Sequence, residues 1–105
     1  MVNFTVEATI EIPLKAKMNP SDEVAVGRWL KRQFDHCDGD FTINRRRKLV
    51  TARVQHSVNL DLSKVKGGSL KAQLKSLHGM AKQAFSEMFS IPIEQIYQLD
   101  ILVSD

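Results

Sequence analysis

An α+β fold with an antiparallel sheet covered on one face is predicted by three features of the 105-residue chain. Two long segments alternate apolar and polar residues, two others repeat apolar residues at helical spacing, and a final apolar run follows Ile91-Pro92-Ile93. Alternation has the period of a strand, whose successive side chains leave opposite faces. An apolar face backed by a polar one therefore means a sheet buried on one side only.

The first strand covers residues 2 to 14, with Val2, Phe4, Val6, Ala8, Ile10, Ile12 and Leu14 inward and Asn3, Thr5, Glu7, Thr9 and Glu11 outward. Asn19-Pro20-Ser21-Asp22-Glu23 then starts a helix: Asn19 caps, Pro20 fits the first helical position, and the acids favour the exposed amides. Val26, Trp29, Leu30 and Phe34 form its buried stripe, Arg28, Lys31 and Arg32 lie mostly away from it, and it stops near Asp35 or His36. Cys37-Asp38-Gly39-Asp40 makes a tight return in which Gly39 supplies unusual backbone angles. Phe41-Thr42-Ile43 suits a short strand, and Arg45-Arg46-Arg47-Lys48 connects it, as tip or as strand margin, to a long strand beginning near Leu49. There Val50, Ala52, Val54, His56, Val58, Leu60 and Leu62 share the inward side.

Lys64-Val65-Lys66-Gly67-Gly68-Ser69 breaks the pattern, and Ser69 caps a helix running to about Met88. Its internal stripe is Leu70, Leu74, Leu77, Ala81, Ala84, Phe85 and Met88. Pro92 stops simple continuation, and the chain returns as a last strand with Tyr97, Leu99, Ile101 and Val103 inward. Strand, helix, strand, strand, helix, strand is the order of a ferredoxin-like split βαββαβ sandwich. In that fold a four-stranded antiparallel sheet carries two helices on one face, and right-handed crossovers put the first and third strands at its centre.

A length of 105 residues accommodates one compact domain, residues 1–105, and 43% apolar residues suffice for a core without disulfides. Cys37 is the only cysteine, so an intrachain disulfide and a four-thiolate metal site are excluded, and a reducing, cytoplasmic location is expected. No stretch approaches the roughly 20 apolar residues needed to cross a bilayer, and no signal-peptide pattern opens the chain.

The net charge of +3 is mild, but its distribution is uneven. Arg45, Arg46, Arg47 and Lys48 on a projecting ribbon can contact several phosphates. Arg53, the loop residues Lys64 and Lys66, and Lys71 at the start of the second helix extend the candidate nucleic-acid surface, helped by outward-pointing amides at that helix start. The complete spacing of a P-loop or dinucleotide fingerprint is absent. The polar sheet face offers no aromatic ring for stacking a base, while Glu7 and Glu11 repel phosphates, unless Arg53 pairs with one of them.

His56 on the inward side needs partners for its ring nitrogens, with His78 a candidate neighbour. Asp35-His36-Cys37-Asp38-Gly39-Asp40 lacks calcium-loop spacing and a full zinc donor set, Cys37 beside His36 lacks a defined activating geometry, and Trp29 completes a core stripe. The expectation is a non-enzymatic protein without metal or organic cofactor: a small nucleic-acid-associated regulator contacting DNA or RNA phosphates through the basic ribbon. The competing expectation is a protein-interaction module, an inhibitor or oligomeric adaptor, whose ribbon engages an acidic protein or whose polar sheet face forms a homodimer.

Overall fold

A computed structural model describes residues 1–102. Strand β1 (Val2–Pro13) is followed by helix α1 (Glu23–Gln33) and two short strands, β2 (His36–Cys37) and β3 (Thr42–Asn44). Strand β4 (Leu49–Leu60), a single 3-10 turn (Leu62–Lys64), helix α2 (Leu70–Phe89), a second 3-10 turn (Ile93–Gln95) and strand β5 (Ile96–Leu102) complete the order. The sheet runs β2-β4-β1-β5, with β3 also pairing β4. β2 pairs Gln55 and Val54 while β3 pairs Thr51, Val50 and Leu49, so the two act as one edge strand broken between Asp38 and Phe41. All pairings are antiparallel, and the fold is the ferredoxin-like βαββαβ sandwich with β1 and β4 central.

The alternating faces fall as the sequence requires. β1 and β4 pair in continuous register from Val2↔Leu60 to Pro13↔Leu49. Val6, Ala8, Ile10, Val50, Ala52, Val54 and Val58 are all 2% exposed or less. Val26, Trp29 and Leu30 of α1 and Ala81 and Phe85 of α2 close over them. Phe34 stacks on Phe85 at a centroid distance of 6.0 Å, and Phe89 wedges against both. Gly27 admits the Phe41 ring, which a Cβ would meet at 3.2 Å.

Several local expectations are corrected. α1 is capped by Asp22, whose side chain accepts from the Ala25 amide, not by Asn19. The Asn19 side chain instead accepts from Ser21 N, closing a turn that holds Pro20 outside the helix. α1 ends at Gln33, and Phe34 leaves it in extended geometry. Gly39 has no left-handed backbone; that conformation falls on Gly67, where a Cβ would also strike Ala72 Cβ at 2.6 Å. The α2 stripe is buried only in its second half. Leu70 and Leu74 are 73% and 49% exposed, and Met88 is exposed at the far end. Leu62 and Val2, at strand ends, are exposed as well.

β5 changes face in mid-strand. Ile96 pairs Ile10 and is buried, Tyr97 pairs Thr9 and so shares the outward face, and Ile101 returns inward opposite Val6. A bulge at Gln98, whose φ is 47°, inserts the extra residue that shifts the alternation. Tyr97 is thus outward and 44% exposed, against expectation, while Leu99 and Ile101 are half-buried; Val103 lies outside the described residues.

Candidate nucleic-acid interface

Four residues connect β3 to β4, and all four are the basic ones. Asn44 pairs Leu49 to close the loop, the Asn44 side chain accepts from Arg47 N at 3.0 Å, and Lys48 turns the chain back with φ of 53°. Arg45, Arg46, Arg47 and Lys48 therefore occupy the hairpin tip and not the strand margins. All are exposed, and none forms an ion pair among the described residues. The Leu14 amide donates to the Lys48 carbonyl at 2.9 Å, bringing the exposed Lys15 beside the tip in the backbone.

The remaining basic candidates lie elsewhere. Arg53 projects from the middle of β4 on the outward face, where its guanidinium is fully engaged. Nε and Nη2 donate to Glu7 Oε1 at 3.1 and 2.8 Å, and Nη2 also donates to Asp100 Oδ2 at 3.0 Å. Nη1 donates to Thr9 Oγ1 at 3.1 Å and to the Gln98 carbonyl at 2.6 Å. An arginine has five N–H donors, so none is left for a phosphate. The pairing with Glu7 expected across the sheet is present, and Gln55 Nε2 donates to the other Glu7 oxygen at 2.8 Å. Lys64, Lys66 and Lys71 follow the opposite end of β4. Eleven steps of roughly 3.3 Å put about 36 Å between that end and the tip, on a molecule whose long axis is 49 Å.

The loop before α2 is held by its own hydrogen bonds. Ser69 accepts from Ala72 N through its side chain and from Gln73 N through its carbonyl, as a cap does. Lys66 N donates to Ser76 Oγ, and Gln73 Nε2 donates to the Gly67 carbonyl.

The other reactive side chains are taken up by the fold. His36 and Cys37 are consecutive residues of β2 and leave opposite faces, so adjacency in sequence separates them in space. His36 Nε2 lies 3.2 Å from Asp38 Oδ1 on the exposed side. Cys37 is buried; burial first, then the Asp38 carboxylate, push its thiol upward, away from the thiolate a nucleophile needs. His56 does not reach for His78. Its Nδ1 accepts from Asp35 N at 3.0 Å, which places the ring proton on Nε2, and Phe34 and Phe89 pack edge-on around it. Asp35 Oδ2 in turn accepts from Ser57 N at 2.9 Å, tying the end of α1 to β4.

No set of three or more His, Cys, Asp or Glu among the described residues is placed to hold a metal. A cavity of about 180 Å³ lined by Ile12, Trp29, Phe34, Phe89 and Ile91 together with Gln33, Ser90 and Gln95 is smaller than the roughly 300–1,000 Å³ of ligand pockets. No helix among the described residues is long and apolar enough to cross a membrane. Sequence reasoning missed the outward Tyr97, because the bulge that exposes it carries no glycine or proline. Comparison with protein-family models, curated proteins and solved structures finds no match.

The sheet-face network makes stability sensitive to acid. The hydrogen bond from Arg53, above all, holds the Glu7 carboxyl below its ordinary range, and the Ser57 amide does the same for Asp35. Through the acid range the unfolded chain binds more protons than the folded one, so this stabilisation is present above the ordinary carboxylate pKa. It is lost as pH falls through the lowered folded values. Melting temperature is expected to decline from about pH 5 downward, and Glu7→Gln to flatten that decline. A variant with the slope of the parent would remove Glu7 from the account.

Proposed function

We propose that this protein is a non-enzymatic, nucleic-acid-associated regulator that positions itself on phosphates through the β3–β4 hairpin tip. The observation that carries the reading is four consecutive exposed cations, Arg45 to Lys48, with no ion-pair partner among the described residues. Arginines free of carboxylates keep their paired donors for phosphate oxygens. A short hairpin tip also limits the loss of backbone freedom on binding. The sheet face suits phosphates less well, since Glu7 and Asp100 flank its single outward arginine. A tip of this kind gives affinity and orientation, and sequence preference has to come from elsewhere.

The test replaces Arg45, Arg46, Arg47 and Lys48 together with Ala and titrates a short DNA duplex and a matched RNA over a salt series. Binding at low salt is expected to weaken by about ten- to a hundredfold, and the salt slope on duplex to fall by as much as roughly 3.6, or 0.9 for each phosphate that is no longer neutralised. Circular dichroism should show an intact fold, because the tip contributes no buried side chain. Unchanged affinity and slope in the folded variant would reject the tip as the phosphate surface. Loss of binding to an acidic protein alone would favour an interaction module instead.

A further inference from the structure

At the pole opposite the tip, a mainly apolar groove of about 360 Å³ is lined by Leu62 and Val65 together with Leu70, Gln73, Leu74 and Leu77 of α2. Leu70, Leu74 and Leu77 are spaced i, i+4, i+7, the stripe a helix presents to a packing partner, yet the first half of α2 has no fully buried side chain. Between Asp61 and Glu87 the chain carries Lys64, Lys66, Lys71, Lys75 and Lys82 and no carboxylate. Lys64 and Lys66 flank Val65 in the chain, Lys71 and Lys75 directly follow Leu70 and Leu74, and all four are exposed.

We infer that this groove docks an acidic amphipathic helix of a partner protein, whose apolar ridge packs on Leu62, Val65 and the α2 leucines. Its flanking Asp and Glu residues meet the lysine rim. A mainly apolar groove along a helix suits the ridge-and-groove packing of a second helix, and helix-in-groove recognition uses anchors at the spacing of Leu70, Leu74 and Leu77. Charge selects the occupant. A second copy of this chain would set four lysines against four across a two-fold axis, where like charges repel. A flat lipid surface would meet the rim and leave the groove floor unfilled. The surface is distinct from the hairpin tip and does not rest on it.

The probe is a fluorescently labelled helical peptide with leucines at i, i+3, i+4 and i+7 flanked by glutamates, titrated against the full chain by anisotropy. The same leucine stripe flanked by lysines serves as control. Leu70→Ser with Leu74→Ser alters exposed positions only, so the fold should persist by circular dichroism while affinity falls at least about tenfold. The tip variant should bind the peptide as the parent does. Equal binding by the leucine variant, equal binding of the lysine-flanked control, or loss of binding in the tip variant would overturn the proposal. So would groove-dependent self-association in sedimentation, or groove-dependent adsorption to phosphatidylserine vesicles without peptide binding.

Discussion

Val54→Asp is expected to abolish cooperative folding. Val54 is fully buried at the centre of β4, opposite Ala8 on one side and Cys37 on the other, and no cation faces it there. A carboxylate at that position loses its hydration without gaining a partner. The expected cost is at least about 4 kcal/mol, against the roughly 5–15 kcal/mol that stabilises a typical domain. Thermal unfolding followed by circular dichroism should show a broad or absent transition. Thr51→Asp, three positions away on the outward face, should melt cooperatively within a few degrees of the parent. Similar melts for the two variants would contradict the face assignment of β4.

Phe85→Ala is expected to lower stability by about 3–5 kcal/mol, read as a shift in denaturant midpoint with an unchanged slope. Phe85 is fully buried, and its ring stacks on Phe34 and touches Phe89, so truncation opens a cavity where α2 meets α1. Leu74→Ala, on the same predicted stripe, should cost under about 1 kcal/mol because Leu74 is half exposed. A large loss at Leu74 would mean that the first half of α2 packs against the domain and that its groove is closed.

These two α2 positions also show what sequence can and cannot convey. Strict alternation from Val50 to Leu60 identifies the inward face because a one-residue slip would turn the whole set to solvent, and the burial of Val54 and Val58 follows. Helical periodicity identifies which residues share a face but not how far the covered surface extends, so Leu70 and Leu74 share a stripe with Phe85 without sharing its burial. In the Asn19-Pro20-Ser21-Asp22 run residue types that can cap stand close together, and local turn hydrogen bonds decide that Asp22 caps instead of the expected Asn19. Tyr97 escapes the pattern for a different reason: a bulge inverts parity, and Gln98 is not a residue type that announces one.

The same division applies to the candidate interface. Four adjacent cations are legible as a phosphate surface, and the four-residue gap between Asn44 and Leu49 fixes them at the tip. That Arg53 has no donor to spare depends on Asp100 and the Gln98 carbonyl, which arrive from a strand some 45 residues later in the chain. The separation of Lys64, Lys66 and Lys71 from the tip depends on β4 running unbroken between them, a three-dimensional fact that a linear charge count merges.

The bulge in β5 also bears on strand addition at this edge of the sheet. β5 is the outermost strand on its side of the sheet, and an outer strand presents unpaired amides and carbonyls on which a second molecule can build. At Gln98 the backbone is kinked, its carbonyl is taken by Arg53 of the same chain, and the neighbouring Asp100 is charged. An incoming strand therefore finds a hydrogen-bonding row split at Gln98 into Ile96–Tyr97 and Leu99–Leu102, which disfavours an extended fibre-like array.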